Sequence, residues 1–153
     1  MTAADAPVPR PLYVADTNVY VTAANDPAFR EEFAIFLRQQ GPIPVSSVVV
    51  AEVLIGVADP ARHDDAVRAM TAGSVLAAPA AEDWVAAGAA LARLGGDTVT
   101  KTRSFWNDAL LAAQCARLGA TLITRNRSDF RRLGRHVRVR TVLPFPPPAP
   151  RAG

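Results

Sequence analysis

The sequence predicts a single α/β domain in which a mostly parallel central sheet is flanked by helices. Three observations predict this class. Short β-branched runs alternate with helical patterns along the chain, which is typical of parallel strands joined by helices. The chain has 153 residues, the length of one ordinary domain. Half of its residues (50%) are apolar, so the chain can bury a full core.

The first half of the chain contains two predicted strands and two predicted helices. Residues 12–16 are an apolar run that ends in Asp16, and the run predicts a strand. Residues 27–41 have a helical pattern closed by a glycine, and residues 42–45 predict a short strand. Residues 46–57 suit a buried strand or a helix. We favour a helix, because a strand already lies upstream, Ser46 or Ser47 can cap it, and Gly56 with Asp59-Pro60 can end it.

The second half repeats this alternation. The predicted elements are a helical pattern at 60–73, a strand at 74–79, helices at 81–96 and 105–118, and strands at 120–124 and 136–143. The boundaries of the helix at 105–118 are well signalled, because Ser104 can serve as its N-cap and Gly119 can end it. The single cysteine, Cys115, forms no internal disulfide and is predicted to be a small core residue of that helix.

Both ends of the chain are predicted to lie outside the folded domain. Residues 1–10 show no periodicity and residues 144–153 are rich in proline, which predicts disordered extensions around a domain at 11–143. The chain start lacks a basic segment followed by an apolar one, and no apolar run reaches the roughly 18 residues of a membrane span. We therefore expect a cytoplasmic protein that does not contact a membrane.

The net charge of +3 hides a segregation of charge along the chain. Residues 1–97 contain twelve acids and six bases, a balance of −6, whereas residues 98–153 contain eleven bases and two acids, a balance of +9. A positive field of this kind favours a polyanion such as nucleic acid. The alternative is a high-arginine composition whose side chains only solvate a surface.

Four carboxylates occupy positions at which an isolated charge would be costly. Asp16 and Asp129 follow predicted strands, at the edge where parallel sheets build their sites. Glu52 lies within an apolar run, and Asp108 lies on the predicted buried face of its helix with Leu111 and neighbouring residues. Each has a structural alternative: a helix N-cap for Asp16, a buried salt bridge for Glu52, the helix dipole for Asp108 and a turn cap for Asp129.

One hypothesis covers all four carboxylates. If the strands before Asp16 and at 120–124 are neighbours, the four acids converge and repel each other unless a divalent cation compensates their charge. An all-oxygen ligand set favours Mg²⁺ or Mn²⁺, which can generate a water nucleophile and polarise a phosphoryl oxygen. The cations nearest the acids are candidates for binding RNA phosphate: Lys101, Arg103 and Arg125. Small polar residues beside the acids are suited to supporting roles: Thr17, Asn18, Thr124 and Asn126.

Over residues 12–143 the chain resembles the PIN-domain nucleases, and within them the VapC-type toxins of bacterial toxin-antitoxin pairs. The resemblance rests on Asp16-Thr17-Asn18, on Glu52, and on "NDALLAAQCARLGATLIT" and "RNRSDF". It implies a single PIN-like domain, a homodimer, a small cognate antitoxin and a Mg²⁺- or Mn²⁺-dependent endoribonuclease that cleaves RNA. It also implies that the catalytic, metal-binding acids are Asp16, Glu52, Asp108 and Asp129, supported by Thr17 and Asn126. Asn126 competes with Asp129 for the fourth position.

Two alternative functions remain at this point. A phosphoacceptor signalling module would also place acids and Mg²⁺ at strand ends, but it requires a pair of acids after the first strand and a lysine followed by proline. This chain has the single Asp16 there, and Thr102 follows Lys101. A catalytically silent RNA-binding PIN relative would use the basic third of the chain without the acids, although all four acids are present.

Overall fold

The computed structural model describes residues 10–95, 102–139 and 142–143. Within them the strands are short and the helices make up most of the structure. In chain order the elements are β1 (Tyr13–Ala15), α1 (Thr17–Asn25), α2 (Pro27–Gln40), β2 (Val45–Ser46), α3 (Ser47–Ile55), a 3-10 turn (Pro60–Arg62), α4 (His63–Thr71), β3 (Leu76–Ala77), α5 (Ala81–Leu94), α6 (Arg103–Leu118), β4 (Thr121–Ile123), α7 (Arg127–Leu133) and β5 (Val142–Leu143). No helix of these described ranges is both long and apolar enough to cross a membrane.

The strand pairings confirm the predicted α/β class with parallel strands. One sheet has the order β1-β4-β5 and a second has β2 beside β3, and each of these pairings is parallel. Val14 pairs with Leu122, which makes β1 and β4 neighbours as the site hypothesis requires. Their carboxyl ends therefore meet at one edge of the sheet.

Helix α6 is the central element of the core. Its second turn onward is buried on nearly every side, because it packs against α3, α5 and α7 and leads into β4. Cys115 is fully buried on this helix, as predicted. A buried polar contact fixes the position of α6: the Ser46 hydroxyl donates to Gln114 Oε1 at 2.6 Å, and Gln114 Nε2 donates to the Ala77 carbonyl at 3.1 Å.

Several predicted boundaries are confirmed. The ambiguous run at 46–57 is the helix α3, with Ser46 as its N-cap and Gly56 at its end. Gly41 ends α2 and Gly119 ends α6, both at positive φ (85° and 63°), a conformation that glycine adopts without strain.

Other boundaries differ from the prediction. Helix α6 begins at Arg103 rather than Phe105, because Thr102 and not Ser104 is its N-cap and accepts from the Phe105 N–H. The strand predicted at 136–143 is reduced to β5 among the described residues. Upstream of it the chain turns, because the N–H groups of His136 and Val137 both donate to the Leu133 carbonyl at 2.9 Å.

Two short helices, α1 and α7, were not predicted. Each follows a strand of the first sheet almost directly, after Asp16 and after Asn126 respectively. The strand-to-helix connections place both of these residues at the carboxyl edge of the sheet. The predicted extensions at 1–10 and 144–153 lie, apart from Arg10, outside the described residues.

Candidate active site

Asp16 is held rigidly where β1 meets α1. Its Oδ1 accepts from the Thr17 N–H at 2.7 Å, which is the helix cap that we considered as its structural alternative. Its Oδ2 accepts from Thr124 Oγ1 at 2.7 Å and from Asn18 Nδ2 at 3.0 Å. The side chain is buried and burial raises the pKa of Asp16; these hydrogen bonds oppose that rise, whereas the charge of Glu52 adds to it.

Glu52 on α3 is positioned by two neighbouring helices. It accepts a short hydrogen bond from the Thr17 hydroxyl of α1, and its Oε1 accepts from Asn107 Nδ2 of α6 at 3.0 Å. The alternative of a buried salt bridge is not seen, since no arginine of the described residues pairs with Glu52. Glu52 is therefore oriented by neutral donors, and no cation among the described residues pairs with it.

Asp108 is buried in the second turn of α6, with only 6% of its surface exposed. Within the described residues its carboxylate takes part in no hydrogen bond or ion pair. Burial, and after it the negative charges of Asp16, Glu52 and Asp129, raise the pKa of Asp108 to about 8. Asp108 thus lies within electrostatic reach of the other three acids, and no donor among the described residues stabilises its charged form.

Asp129 lies in the first turn of α7, where Asn126 Nδ2 donates to its Oδ2 at 2.9 Å. Asn126 is itself held, because its N–H donates to Thr124 Oγ1 at 2.9 Å and its Oδ1 accepts from Ser128 Oγ at 3.3 Å. The two competing residues for the fourth position are therefore hydrogen-bonded to each other, with Asn126 as the donor.

The donor set suits a hard divalent cation, although the acids do not form a closed ligand cage. In the described part of the chain, no three histidine, cysteine or acidic side chains lie together in a geometry that would hold a metal ion. The negative charges of the four acids repel one another. In addition, amide and hydroxyl donors hold the side chains of Glu52 and Asp129 in their present positions. The fit rests on chemistry: the candidate ligands are all oxygens, and Asp108 is buried within electrostatic reach of three other carboxylates.

The three cations predicted to bind phosphate have different environments. Arg103 is exposed on the first turn of α6. Arg125 follows β4 but folds back, because its Nη1 donates to Thr22 Oγ1 at 2.9 Å and its guanidinium lies 5.6 Å from the ring centre of Phe29. Its backbone N–H donates to Asn18 Oδ1 at 3.1 Å, so Arg125 also orients a residue that contacts Asp16. Lys101 lies outside the described residues.

The sequence did not single out Asn107 as a site residue. Its neighbour Asp108 was predicted as a buried charge, whereas asparagine is common near helix starts and gives no signal of a site. Only the packing of α3 against α6 brings Asn107 to Glu52. An amide next to a buried acid on the same helix was the one signal available.

Solved structures share this fold. A chain of the Rickettsia felis VapBC2 structure, bound to a promoter DNA fragment, matches with a TM-score of 0.64 and 19% identity, over 88% of this chain and 98% of that one. A chain of DNA-bound VapBC from Salmonella typhimurium gives 0.64 and 16%, over 88% and 98%. A chain of a toxin-antitoxin complex from Klebsiella pneumoniae gives 0.55 and 21%, over 77% and 89%.

Comparison with curated proteins finds no match. The family model of the PIN domain, in contrast, matches residues 13–136, which include all four acids. The chain belongs to the PIN domain family.

Proposed function

We propose that this protein is a metal-dependent endoribonuclease that hydrolyses RNA phosphodiester bonds and acts as the toxin of a toxin-antitoxin pair. PIN domains are in general nucleases, and the chain belongs to that family. The observation that carries the proposal is the position of Asp108. It is buried, it has no donor among the described residues, and it lies within electrostatic reach of three other carboxylates.

In this proposal the catalytic acids Asp16, Glu52, Asp108 and Asp129 hold Mg²⁺ or Mn²⁺. The ion would supply a water nucleophile at neutral pH and polarise a phosphoryl oxygen. The hydrogen bonds seen in the structure then act as supports that fix each carboxylate oxygen. Thr17 and Asn107 orient Glu52, Asn18 and Thr124 orient Asp16, and Asn126 orients Asp129.

The basic part of the chain is proposed to bind the RNA backbone. Arg103 is exposed on the first turn of α6, four residues before Asn107 and five before Asp108. Lys101 precedes Arg103 in the sequence. Arg125 lies close to the acids, because its main-chain N–H donates to Asn18, which contacts Asp16. Their charges would neutralise phosphates, so RNA affinity should fall with increasing salt concentration.

The proposed partners follow from the structural neighbours. Those neighbours are described as VapBC and toxin-antitoxin complexes, and two of them are bound to DNA. We infer from this that the chain pairs with a small cognate antitoxin. A cytoplasmic location and a homodimer are part of the same proposal, by analogy with VapC-type toxins.

The test is cleavage of RNA by the purified protein in Mg²⁺, in Mn²⁺ and in EDTA. We expect cleavage that requires metal, and we expect Asp16→Asn and Asp108→Asn to abolish it while RNA binding persists. Glu31→Gln, which removes an exposed acid on α2, is the matched control and should cleave at the parental rate. Binding without cleavage would support the silent relative, and labelling by acetyl phosphate would support the signalling module. Either result would contradict the proposal.

A further inference from the structure

The first turn of α6 presents an exposed aromatic side chain next to a cation. Trp106 is 42% exposed, and Arg103 lies three residues before it, also exposed. Residues three apart on a helix are surface neighbours, so these two side chains share one face. No ion pair within the described residues involves Arg103. An indole left in water beside an unpaired guanidinium is a combination that suits a ligand with both an aromatic and an anionic part.

This pair lies at the edge of the sheet that carries the acids. Helix α6 is joined to β4 by only two residues, Gly119 and Ala120, and therefore runs in the direction opposite to β4. Its first turn is thus at the carboxyl edge, the same edge as Thr124 and its partner Asp16. The residue after Trp106 is Asn107, which donates to Glu52 at 3.0 Å.

The other tryptophan of the chain has a different charge environment. Trp84 is 57% exposed on the first turn of α5, and it directly follows two acids, Glu82 and the buried Asp83. Asp83 is paired with Arg117 in the last turn of α6, so Trp84 lies near the opposite end of that helix from Trp106, where Arg103 attracts a polyanion. Exposure alone therefore does not distinguish the two indoles, but charge and position do.

We propose that Trp106 stacks on an unpaired nucleobase of the RNA beside the scissile phosphate, while Arg103 binds the adjoining backbone. This inference rests on the proposed function and specifies its substrate as a single-stranded RNA segment. An indole can stack on any base, but only when that base is not enclosed in a duplex. The contact would therefore favour single strands without selecting a particular sequence.

The first measurement is RNA affinity in the cleavage-deficient Asp108→Asn protein. The ligand is a single-stranded RNA of about 10 nucleotides, within the usual site range for such contacts. We expect Trp106→Ala to weaken binding about tenfold, which is within the range measured when stacking aromatics are replaced by alanine. Trp106→Phe should retain most of the affinity, and the matched control Trp84→Ala should retain all of it. A Trp106→Ala affinity equal to that of the parent would overturn the inference.

The second measurement reports on stacking directly. In a Trp84→Phe, Asp108→Asn protein, Trp106 is the only tryptophan, so its fluorescence reports on its contacts alone. We expect strong quenching by the single-stranded RNA and weak quenching by the same sequence in a duplex or with abasic positions. Equal quenching by the single strand and the duplex, or none by either, would refute stacking.

The two proposals fail in distinguishable ways. If the parent protein cleaves RNA in Mg²⁺ or Mn²⁺ but Trp106→Ala binds and cleaves like the parent, only the stacking contact is refuted. If the parent neither binds nor cleaves RNA, both are refuted. Thermal unfolding of Trp106→Ala controls for folding, and Trp106→Phe provides an independent comparison if the alanine variant is destabilised.

Discussion

Replacing Asp108 by asparagine should stabilise the metal-free protein, and the gain should grow with pH. The pKa of Asp108 is raised from its ordinary value of 3.8 to about 8 in the folded protein, mainly by burial and then by Asp16, Glu52 and Asp129. Between pH 3.8 and about pH 8 the folded protein therefore keeps a proton on Asp108 that the unfolded chain releases. The free energy of unfolding therefore falls as pH rises, by about 1.4 kcal/mol per pH unit for one proton.

The magnitude follows from that slope. Between pH 5 and pH 8 a full single-proton difference would cost the parent protein about 4 kcal/mol, and residual access of water to the carboxylate reduces this to about 2–4 kcal/mol. Asparagine has nearly the same shape as aspartate and carries no charge, so the free energy of unfolding of the variant does not fall with pH at this position. Adding Mg²⁺ at pH 8 should restore most of the stability of the parent and little of that of the variant.

The assay is urea unfolding in EDTA at pH 5, 6, 7 and 8, followed by circular dichroism. The measured quantity is the difference in unfolding free energy between Asp108→Asn and the parent. Glu31→Gln, which also removes one negative charge, controls for net charge. A difference that stays constant from pH 5 to pH 8 would refute the burial of Asp108 within reach of the charges of the other acids.

Two further substitutions test the packing and the supports of the site. Arg117→Ala should lower the free energy of unfolding by about 2–4 kcal/mol, because it leaves the buried carboxylate of Asp83 without its cation. Asp83 is 1% exposed, and Arg117 donates to it at 2.9 Å. A loss below about 0.5 kcal/mol in urea unfolding would contradict this. Asn107→Ala should reduce metal affinity and RNA cleavage about 10- to 100-fold without a comparable loss of stability, because it frees Glu52 on one side. Calorimetric titration with Mn²⁺ measures this, and parental affinity would exclude Asn107 as a support.

The parts of the fold that depend on local sequence were predictable. Gly41 and Gly119 end their helices because only positive φ closes those turns, and Ser46 caps α3 because a hydroxyl can satisfy a free N–H. These features are encoded within a few residues of where they appear.

The parts that depend on distant contacts were not predictable. The start of the strand expected at 136–143 is a turn instead, because the Leu133 carbonyl accepts the N–H groups of both His136 and Val137. The role of Asn107 depends on Glu52, 55 residues away, and no local pattern links them. Asp83 lies in the first turn of α5, and its burial depends on Arg117, which reaches it from the last turn of α6.

The central proposal is that the four acids bind divalent metal at the carboxyl edge of the sheet. A crystal grown with Mn²⁺ and measured at a wavelength where manganese scatters anomalously tests it most directly. We expect an anomalous peak within metal–oxygen bonding distance of the carboxylates of Asp16 and Asp108, and we expect this peak to be lost in Asp108→Asn. A well-ordered crystal with no peak at these carboxylates, or with a peak unaffected by the substitution, would contradict the claim.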